Sequence, residues 1–419
     1  MPRACGGLHP AYDSSEAAGR TGGEIPCFEG RSRGRCGAHP DAGEGPLSSR
    51  TPTVLSAAII ASRVFDVADT IDLEKAEQLW THELRSAATR IRLAYTAPKA
   101  IAFGVPPLEI AMAALHVALD GVETEVAATV RLFDFGVVRV ALRFAADNLA
   151  WADFIRRLTA VDRAVGPAAS GAVWTRLRGE IDAIFGAAFL RPTRSTLEED
   201  YLVGIVSAFD EPLNADELQQ RIDLVPLLAG EQRPLAEGAR RDLLRQRFSY
   251  YTDELVVVTW DRAFIYDPRN DTDVIDILNV ANAQLLEMRY YDQLLDNELP
   301  RMYDAVQAMQ RIRPLLSSRR FADLARRLYA LVAEVTELRE KVDNALQVTE
   351  DVYLARIYTA ALDLFRVPAM SASVDRKLAI IRDTYSALYE EASAGRTALM
   401  ELAIVALIVI EIVLALLHH

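Results

Sequence analysis

The apolar stretch over residues 397–417 (TALMELAIVALIVIEIVLALL) constrains the fold of this chain more than any other feature. Its 21 residues would form a helix of about 31 Å, the thickness of a bilayer's hydrocarbon core. Glu401 falls in the first turn, at headgroup level. Glu411 would lie near mid-membrane, where an acidic residue costs about 2.5–3.5 kcal/mol unless it is neutralised or paired. The stretch predicts a C-terminal transmembrane anchor with both glutamates at the membrane; a buried or oligomerising helix of a soluble protein is the alternative.

Composition limits the classes of protein that the rest of the chain can form. A length of 419 residues exceeds what one hydrophobic core usually organises, so two folded units are expected. With 51% hydrophobic residues, global disorder is excluded. The formal net charge of −13 argues against a general nucleic-acid-binding protein, because neutralising phosphates requires a basic surface.

Residues 1–52 differ in composition from the rest of the chain, since they are rich in Gly, Ser, Pro and Arg and lack periodicity. The three cysteines, Cys5, Cys27 and Cys36, lie here, and their spacing matches neither a disulfide framework nor a zinc site. Acidic residues balance the basic ones, which is unlike a mitochondrial transit peptide, and the apolar core of a secretory signal is missing. We expect this segment to be disordered or to result from a start codon placed too far upstream.

Residues 53–270 have a mixed α/β pattern that predicts an α/β subdomain over 53–198 and a second one over 199–270. Predicted strands and hairpins cover 54–65, 126–144, 201–209 and 255–266, and helices are expected after the capping residues Asp72 and Asn214. Each half reads strand, helix, hairpin, helix. This shared order suggests an internal duplication, which requires the same strand connectivity in both halves.

Residues 271–396 carry three heptad-like apolar tracks, which are typical of an antiparallel helical hairpin or a coiled coil. The third track continues into the apolar tail, so stalk and anchor are expected to form one helix. If residues 318–366 formed one unbroken helix of about 73 Å, it would overrun the membrane surface when packed antiparallel to the last helix. The middle helix must therefore bend or splay away, or the tail does not cross a membrane.

The sequence lacks motifs typical of common enzyme and nucleotide-binding families, including a phosphate-binding GxxxxGK[ST] loop, an HExxH zinc motif and a GxSxG nucleophile elbow. We therefore predict no catalytic residue, metal or cofactor. The densest polar group lies in the helix over 281–304 and comprises Glu287, Arg289, Tyr290, Tyr291, Asp292 and Asp296. These residues form either an interaction surface or the polar contacts that dock this helix on the α/β unit. Asp292 interrupts the heptad seam, and Arg289, one turn before it, is its expected partner.

Three blocks resemble a known family, "required for meiotic nuclear division", over roughly residues 201–419. They read DELVVVTWDRAFIYDP, ANAQLLEMRYYDQLLDNELPRMYD and MELAIVALIVIEIVLALL. The spacing of Glu401 and Glu411 is similar to the family's own pattern. The resemblance implies a membrane-anchored protein and, for mitochondrial members, support of organellar translation; it supplies no catalytic residues.

Together these patterns predict an α+β fold: a mixed α/β N-terminal region, then a long antiparallel helical hairpin or coiled coil over 271–396 and a transmembrane helix over 397–417. The soluble part should face the cytoplasm, because Arg376, Lys377, Arg382 and Arg396 precede the span. The expected function is a non-enzymatic scaffold or tether on the lipid bilayer that self-associates through its helical region. The alternative is a small-molecule sensor or an enzyme that uses a cleft between the two α/β halves.

Overall fold

A computed structural model describes residues 50–84, 89–90, 102–103, 105–193, 195–231, 233–310, 322–333, 335–336, 340, 346–347 and 351–417. All of these belong to the compact unit that begins at Ser49. The expectation of disorder for residues 1–52 lies, except at its last three residues, outside the described part of the chain.

The described chain contains strands and helices in the mixed order expected from the sequence. The strands are β1 (Thr53–Asp66), β2 (Ala68–Ile71), β3 (Thr89–Arg90), β4 (Ala102–Phe103), β5 (Leu108–Ala111), β6 (Leu115–Leu119), β7 (Val122–Leu132), β8 (Val137–Ala145), β9 (Leu149–Ala150), β10 (Phe189–Pro192), β11 (Glu198–Phe209), β12 (Arg247–Phe248), β13 (Leu255–Val258), β14 (Arg262–Tyr266) and β15 (Leu346–Gln347). The helices are α1 (Leu73–Leu84), α2 (Trp151–Val165), α3 (Ala172–Phe185), α4 (Ala215–Arg221), α5 (Val225–Ala229), α6 (Glu237–Leu243), α7 (Asp273–Gln310), α8 (described over 322–333), α9 (Val352–Leu364) and α10 (Val367–Leu417).

One mixed sheet organises the α/β region, with strand order β12-β13-β14-β11-β1-β8-β7-β5-β3; β6 pairs with β7, and β9 with β1. Strand β1 lies at its centre, because its apolar sequence can be buried on both sides. It pairs antiparallel with β11 on one side and with β8 on the other. Strands β11 and β14 pair in parallel, which makes the sheet mixed.

Helices cover both faces of this sheet. The odd-numbered side chains Ile59 and Ala61 of β1 contribute to a core that includes residues of α1 to α5. The even-numbered Ile60 and Val64 contribute to a second core, which includes residues of α7, α9 and α10. The alternation follows from the two-residue repeat of a strand. The predicted α+β class is therefore confirmed, with the long helices on one face of the sheet.

Local signals explain where several elements begin and turn. The Asp72 side chain accepts a hydrogen bond from the Lys75 amide at the start of α1. Asn214 and Glu217 form a reciprocal capping box at the start of α4. In the β7–β8 turn, Gly136 has φ +95°, and a Cβ atom there would lie 1.7 Å from the Ala68 carbonyl oxygen. Only glycine fits this turn without rearrangement of the backbone.

The two α/β segments do not repeat the same connectivity. In the first, strand β1 pairs antiparallel with the second strand of its hairpin, β8. In the second, β11 pairs in parallel with the second strand of its hairpin, β14. The internal duplication predicted from the shared element order is therefore wrong, and both segments contribute strands to the same sheet.

The middle of the helical region is interrupted, contrary to one unbroken helix over 318–366. After α8, residues Leu346–Gln347 form strand β15, which pairs with β4. Helix α9 then begins at Val352, where the Asp351 side chain accepts hydrogen bonds from two backbone amides. Because the chain is extended at β15, the long rigid helix that would have overrun a membrane surface does not form.

Helix α10 is continuous over 51 residues, about 77 Å. Its first part is buried at Val374, Leu378, Ile381 and Leu388. Its last part, Met400–Leu417, has a mean hydropathy of 2.8 and is fully uncovered by the rest of the chain. Among the described residues this is one helix long and apolar enough to cross a membrane. The expected continuity of stalk and tail is present.

Candidate functional site

Helix α7 carries an unusual number of buried polar side chains on the face that covers the sheet: Asp276, Asn279, Asn282 and Glu287. Asp276 accepts a hydrogen bond of 2.6 Å from buried Arg131 of β7. The same guanidinium donates through Nε and Nη2 to Glu109 of β5, at 2.9 and 2.7 Å. The two carboxylates satisfy the buried cation and join α7 to the sheet.

Next to this group lies a second buried guanidinium, that of Arg139 on β8. It sits beside Arg131 in the strand register and donates a hydrogen bond of 3.0 Å to the Ser62 hydroxyl of β1. Burial, aided by the charge of Arg131, lowers the pKa of Arg139 to about 10. The layer between α7 and the sheet is thus charged as well as apolar.

Two carboxyl groups with raised pKa values, those of Glu287 on α7 and Asp66 on β1, lie near enough to interact electrostatically. Burial raises the pKa of Glu287 to about 8, and the nearby charges of Asp66 and Asp69 raise it further. Burial also raises the pKa of Asp66, the last residue of β1, to about 7. The hydroxyl groups of Thr193 and Ser195 and the charge of Arg178 act in the opposite direction on Asp66. Such a pair keeps a proton at neutral pH, because two unpaired charges are costly in a buried site.

Two tyrosines of α7, Tyr290 and Tyr291, lie near this acid pair. Tyr291, one helical turn after Glu287, acts against burial and lowers the pKa of that carboxyl. Tyr290 packs edge-on against Tyr291, with ring centroids 5.8 Å apart. Burial raises the pKa of both phenols, so they are proton donors at neutral pH.

The outer face of α7 pairs with different partners from those expected. Arg289 forms an ion pair with Glu199 of β11 and not with Asp292. Asp292 and Asp296 both contact the ammonium of Lys377 on α10, at 2.7 and 2.6 Å. The prediction that Arg289 is the partner of Asp292 is wrong, because the cation comes from a helix that is 85 residues away in the chain. One lysine relieves the repulsion between two carboxylates on successive turns.

The structure thus brings the predicted α7 residues into two groups. Glu287, Tyr290 and Tyr291 face the end of β1, whereas Asp292 and Asp296 face α10. Sequence reasoning did not assign Asp66, Arg131, Lys377 or Asp276 to this site. The available signal for the first two was a charged residue at the buried end of a strand. Lys377 is one of only four lysines in the sequence, but its spacing gave no indication of its partner.

The predicted membrane residues Glu401 and Glu411 are both exposed on the last part of α10. Within the described ranges, no group of three or more His, Cys, Asp or Glu side chains is arranged to hold a metal ion. The ion pairs of α7 thus connect it on one side to the sheet and on the other to α10, the helix that carries the apolar tail.

Comparison with known proteins places the α/β region in a family. Residues 56–272, more than half of the chain, match the model described as "Uncharacterized protein MJ0711, N-terminal domain". Uncharacterized protein MJ0711 of Methanocaldococcus jannaschii is 26% identical over 220 residues, which are 52% of this chain and 66% of that protein. The chain therefore spans just under two thirds of that relative's length. No solved structure matches.

These comparisons do not address the resemblance to the "required for meiotic nuclear division" family, which stays a prediction. The matched residues run from β1 to the start of α7, so they cover the sheet and the helices on its first face. This chain belongs to the family of the MJ0711 N-terminal domain.

Proposed function

We propose that this protein is a membrane-anchored tether that holds its α+β domain at a fixed distance from a bilayer. The observation that carries the proposal is the continuity of α10. One helix packs against the domain up to Leu388 and then runs, uncovered, through the apolar segment Met400–Leu417. A helix without a break transmits position and orientation, which a flexible linker does not.

The length of the uncovered helix sets the distance between domain and bilayer. From Leu388 to Met400 the helix rises about 18 Å. The polar contacts of Lys377 with Asp292 and Asp296 fix the packed part of α10 on α7. Buried contacts of α7 with the sheet, such as that of Asp276 with Arg131, continue this connection into the domain.

Sidedness and self-association are parts of the same proposal. Basic residues Arg382 and Arg396 lie within about 20 residues of the span, which favours the cytoplasmic side for the domain. Glu411 at mid-span favours pairing of helices from two copies, because a polar side chain in lipid is stabilised by a hydrogen bond with a neighbouring helix. Heptad positions of 271–396, such as Leu278, Leu378 and Ile381, are buried in the chain's own core, so the proposed self-association is assigned to the apolar segment. The resemblance to membrane-anchored proteins agrees with this arrangement.

Flotation with lipid vesicles tests the proposal. The full chain should float with vesicles at neutral pH and resist extraction at alkaline pH, whereas a chain that ends at Arg396 should remain in the soluble fraction. The double variant Ile404→Arg, Ile408→Arg should lose flotation, since each arginine at mid-span adds about 2.5–3.5 kcal/mol to insertion.

The matched control is Ile404→Leu, Ile408→Leu, which keeps the span apolar and should float like the unchanged chain. A truncated chain that floats as well as the full chain would end the proposal. So would a full chain that stays soluble and forms a larger oligomer through residues 400–417.

A further inference from the structure

A groove of about 1000 Å³ lies on the face of the sheet opposite α7. One wall is α2 together with the β6–β7 hairpin, and the other is α5 with the segment leading to α6. The first wall belongs to the segment 53–198 and the second to 199–270. The groove thus lies between the two α/β segments, where the sequence predicts a cleft in the alternative to a scaffold. Its proposed role does not depend on membrane attachment.

The two walls are fixed to each other beneath the groove. Buried Arg262 of β14 donates to Asp162 of α2 at 2.6 Å and to the Leu227 carbonyl oxygen of α5 at 3.4 Å. Gly230 ends α5 with φ +65°, and a Cβ atom there would lie 2.2 Å from the Arg262 guanidinium. The indole nitrogen of Trp151 donates to the Asp223 carbonyl oxygen at 3.2 Å, which joins α2 to the start of the second wall. The groove is therefore preformed, as ligand sites usually are.

Arginines dominate the charge of the groove. Its lining includes five arginines and four acidic residues: Arg156, Arg157, Arg163, Arg233, Arg240, Asp120, Asp153, Asp223 and Glu231. Three of the arginines are paired, Arg156 with Asp153, Arg163 with Asp120 and Arg240 with Asp223. In a chain of net charge −13, this lining is locally positive.

Two arginines, Arg157 and Arg233, make no ion pair or hydrogen bond with any residue that the structure describes. Arg157 is half-buried on α2, and its Nε is buried without an acceptor. Arg233 is exposed on the opposite wall. Among the described residues of the lining, the exposed Glu231 is the remaining charged residue that forms no ion pair. The half-buried Arg157 thus faces the groove from one wall and Arg233 from the other, both without an acidic partner among the described residues. A guanidinium group can bind an oxyanion with two parallel hydrogen bonds, so these two side chains are suited to an anionic ligand.

We propose that this groove binds a small organic anion that presents a phosphate or carboxylate group to Arg157 and Arg233. The apolar part of the lining, which includes Leu119, Ile155 and Leu235, would cover the body of the ligand. A general nucleic-acid ligand is disfavoured by the acidic chain.

Chemical labelling of the full chain in neutral detergent tests the site without any substitution. Phenylglyoxal modifies free guanidinium groups, and peptide mass spectrometry gives the rate at each arginine. Inorganic pyrophosphate or citrate, at ten times its dissociation constant, should slow labelling of Arg157 and Arg233 about tenfold. Arg176, exposed on α3 outside the groove, should react at an unchanged rate. Protection by pyrophosphate alone assigns a phosphate ligand, and protection by citrate alone assigns a carboxylate.

Equilibrium dialysis with the protecting anion gives a second readout. The double variant Arg157→Gln, Arg233→Gln should weaken binding at least about tenfold, because two charge-assisted contacts are lost. Arg176→Gln is the matched control and should bind like the unchanged chain. The inference is overturned if neither anion protects the two arginines, or if protection extends equally to Arg176.

Discussion

At the scale of single residues, the least expected feature is the number of ionisable groups between α7 and the sheet. Asp276 and Glu109 both form ion pairs with Arg131. Glu287 and Asp66 have no such cation in direct contact among the described residues, and burial raises the pKa of both. The acid pair is therefore one place in this layer where pH acts on the folded state.

Glu287→Gln tests the acid pair. The unfolded chain loses this proton near its ordinary pKa of 4.5, while the folded chain keeps it to about pH 8. The folded state thus binds more protons between these values, and the free energy of unfolding of the unchanged protein falls as pH rises through this window. The glutamine cannot lose this proton, so the free energy of unfolding of the variant should not fall in this way. The difference in unfolding free energy, variant minus unchanged protein, should therefore be larger at pH 8 than at pH 5 by at least about 1 kcal/mol.

Urea unfolding of the full chain in neutral detergent at the two pH values measures this difference. Glu298→Gln, on the same helix but partly exposed and paired with Arg301, is the control and should show no such dependence. Identical pH profiles for the two variants would show that Glu287 ionises normally.

Lys377→Met tests the connection between α7 and α10. The ammonium is 16% exposed and contacts both Asp292 and Asp296, so its loss leaves two neighbouring carboxylates without a cation. Because the acids are partly solvated, we expect a loss of about 1 kcal/mol in unfolding free energy. Arg376→Met, one residue earlier and exposed, should cost less than half as much. Equal losses of unfolding free energy for the two substitutions would show that Lys377 does not stabilise the contact between α7 and α10.

At the scale of elements, local sequence signals determine much of what the structure contains. Strand β1, the β7–β8 hairpin and the capped starts of α1 and α4 follow from alternation and capping residues, and all were predicted. The parallel pairing of β11 with β14 and the strand at Leu346–Gln347 depend on distant partners. Periodicity within one segment carries no information about such pairings, so the duplication was predicted wrongly and the strand that interrupts the middle helix was not predicted.

The site shows the same limit. Residues of α7 from Glu287 to Asp296 were predicted, because their polarity breaks an apolar pattern, whereas Asp276 was not. Their partners Asp66, Glu199 and Lys377 come from β1, β11 and α10, far away in the sequence. A helix pattern reports which face is polar, whereas only the fold brings the opposing charges to it.

The continuity of α10 is a prediction at this scale. Spin labels at Arg382 and Glu401, both exposed, should give one narrow distance near 29 Å in the full chain, measured by pulsed electron spin resonance. Ser393→Pro should broaden and shift this distribution, because proline removes a helical hydrogen bond and kinks the helix. Ser393→Ala should leave it unchanged. A broad distribution already present in the unchanged chain would mean that the domain and the tail move independently.

At the scale of the whole molecule, the protein combines a two-faced α+β domain with a helix that leaves it. One face of the sheet carries α7, α9 and the packed part of α10, so the connection to the apolar tail runs through this face. The other face carries α2 and α5, with the arginine-lined groove between them. The proposed anchoring and the proposed ligand binding thus involve opposite sides of one sheet, and we expect that each can be removed without the other.

We propose that residues 400–417 cross a bilayer as the direct continuation of the part of α10 that packs on the domain. The most direct measurement scans single spin labels along 388–417 of the full chain in lipid nanodiscs, after Cys5, Cys27 and Cys36 are replaced by serine. From about Met400 onward, labels should become accessible to oxygen and inaccessible to a water-soluble nickel reagent, with the deepest values around Ile408. If the nickel reagent reaches labels throughout 400–417 as readily as at exposed Tyr389, the segment lies in water and the account is contradicted.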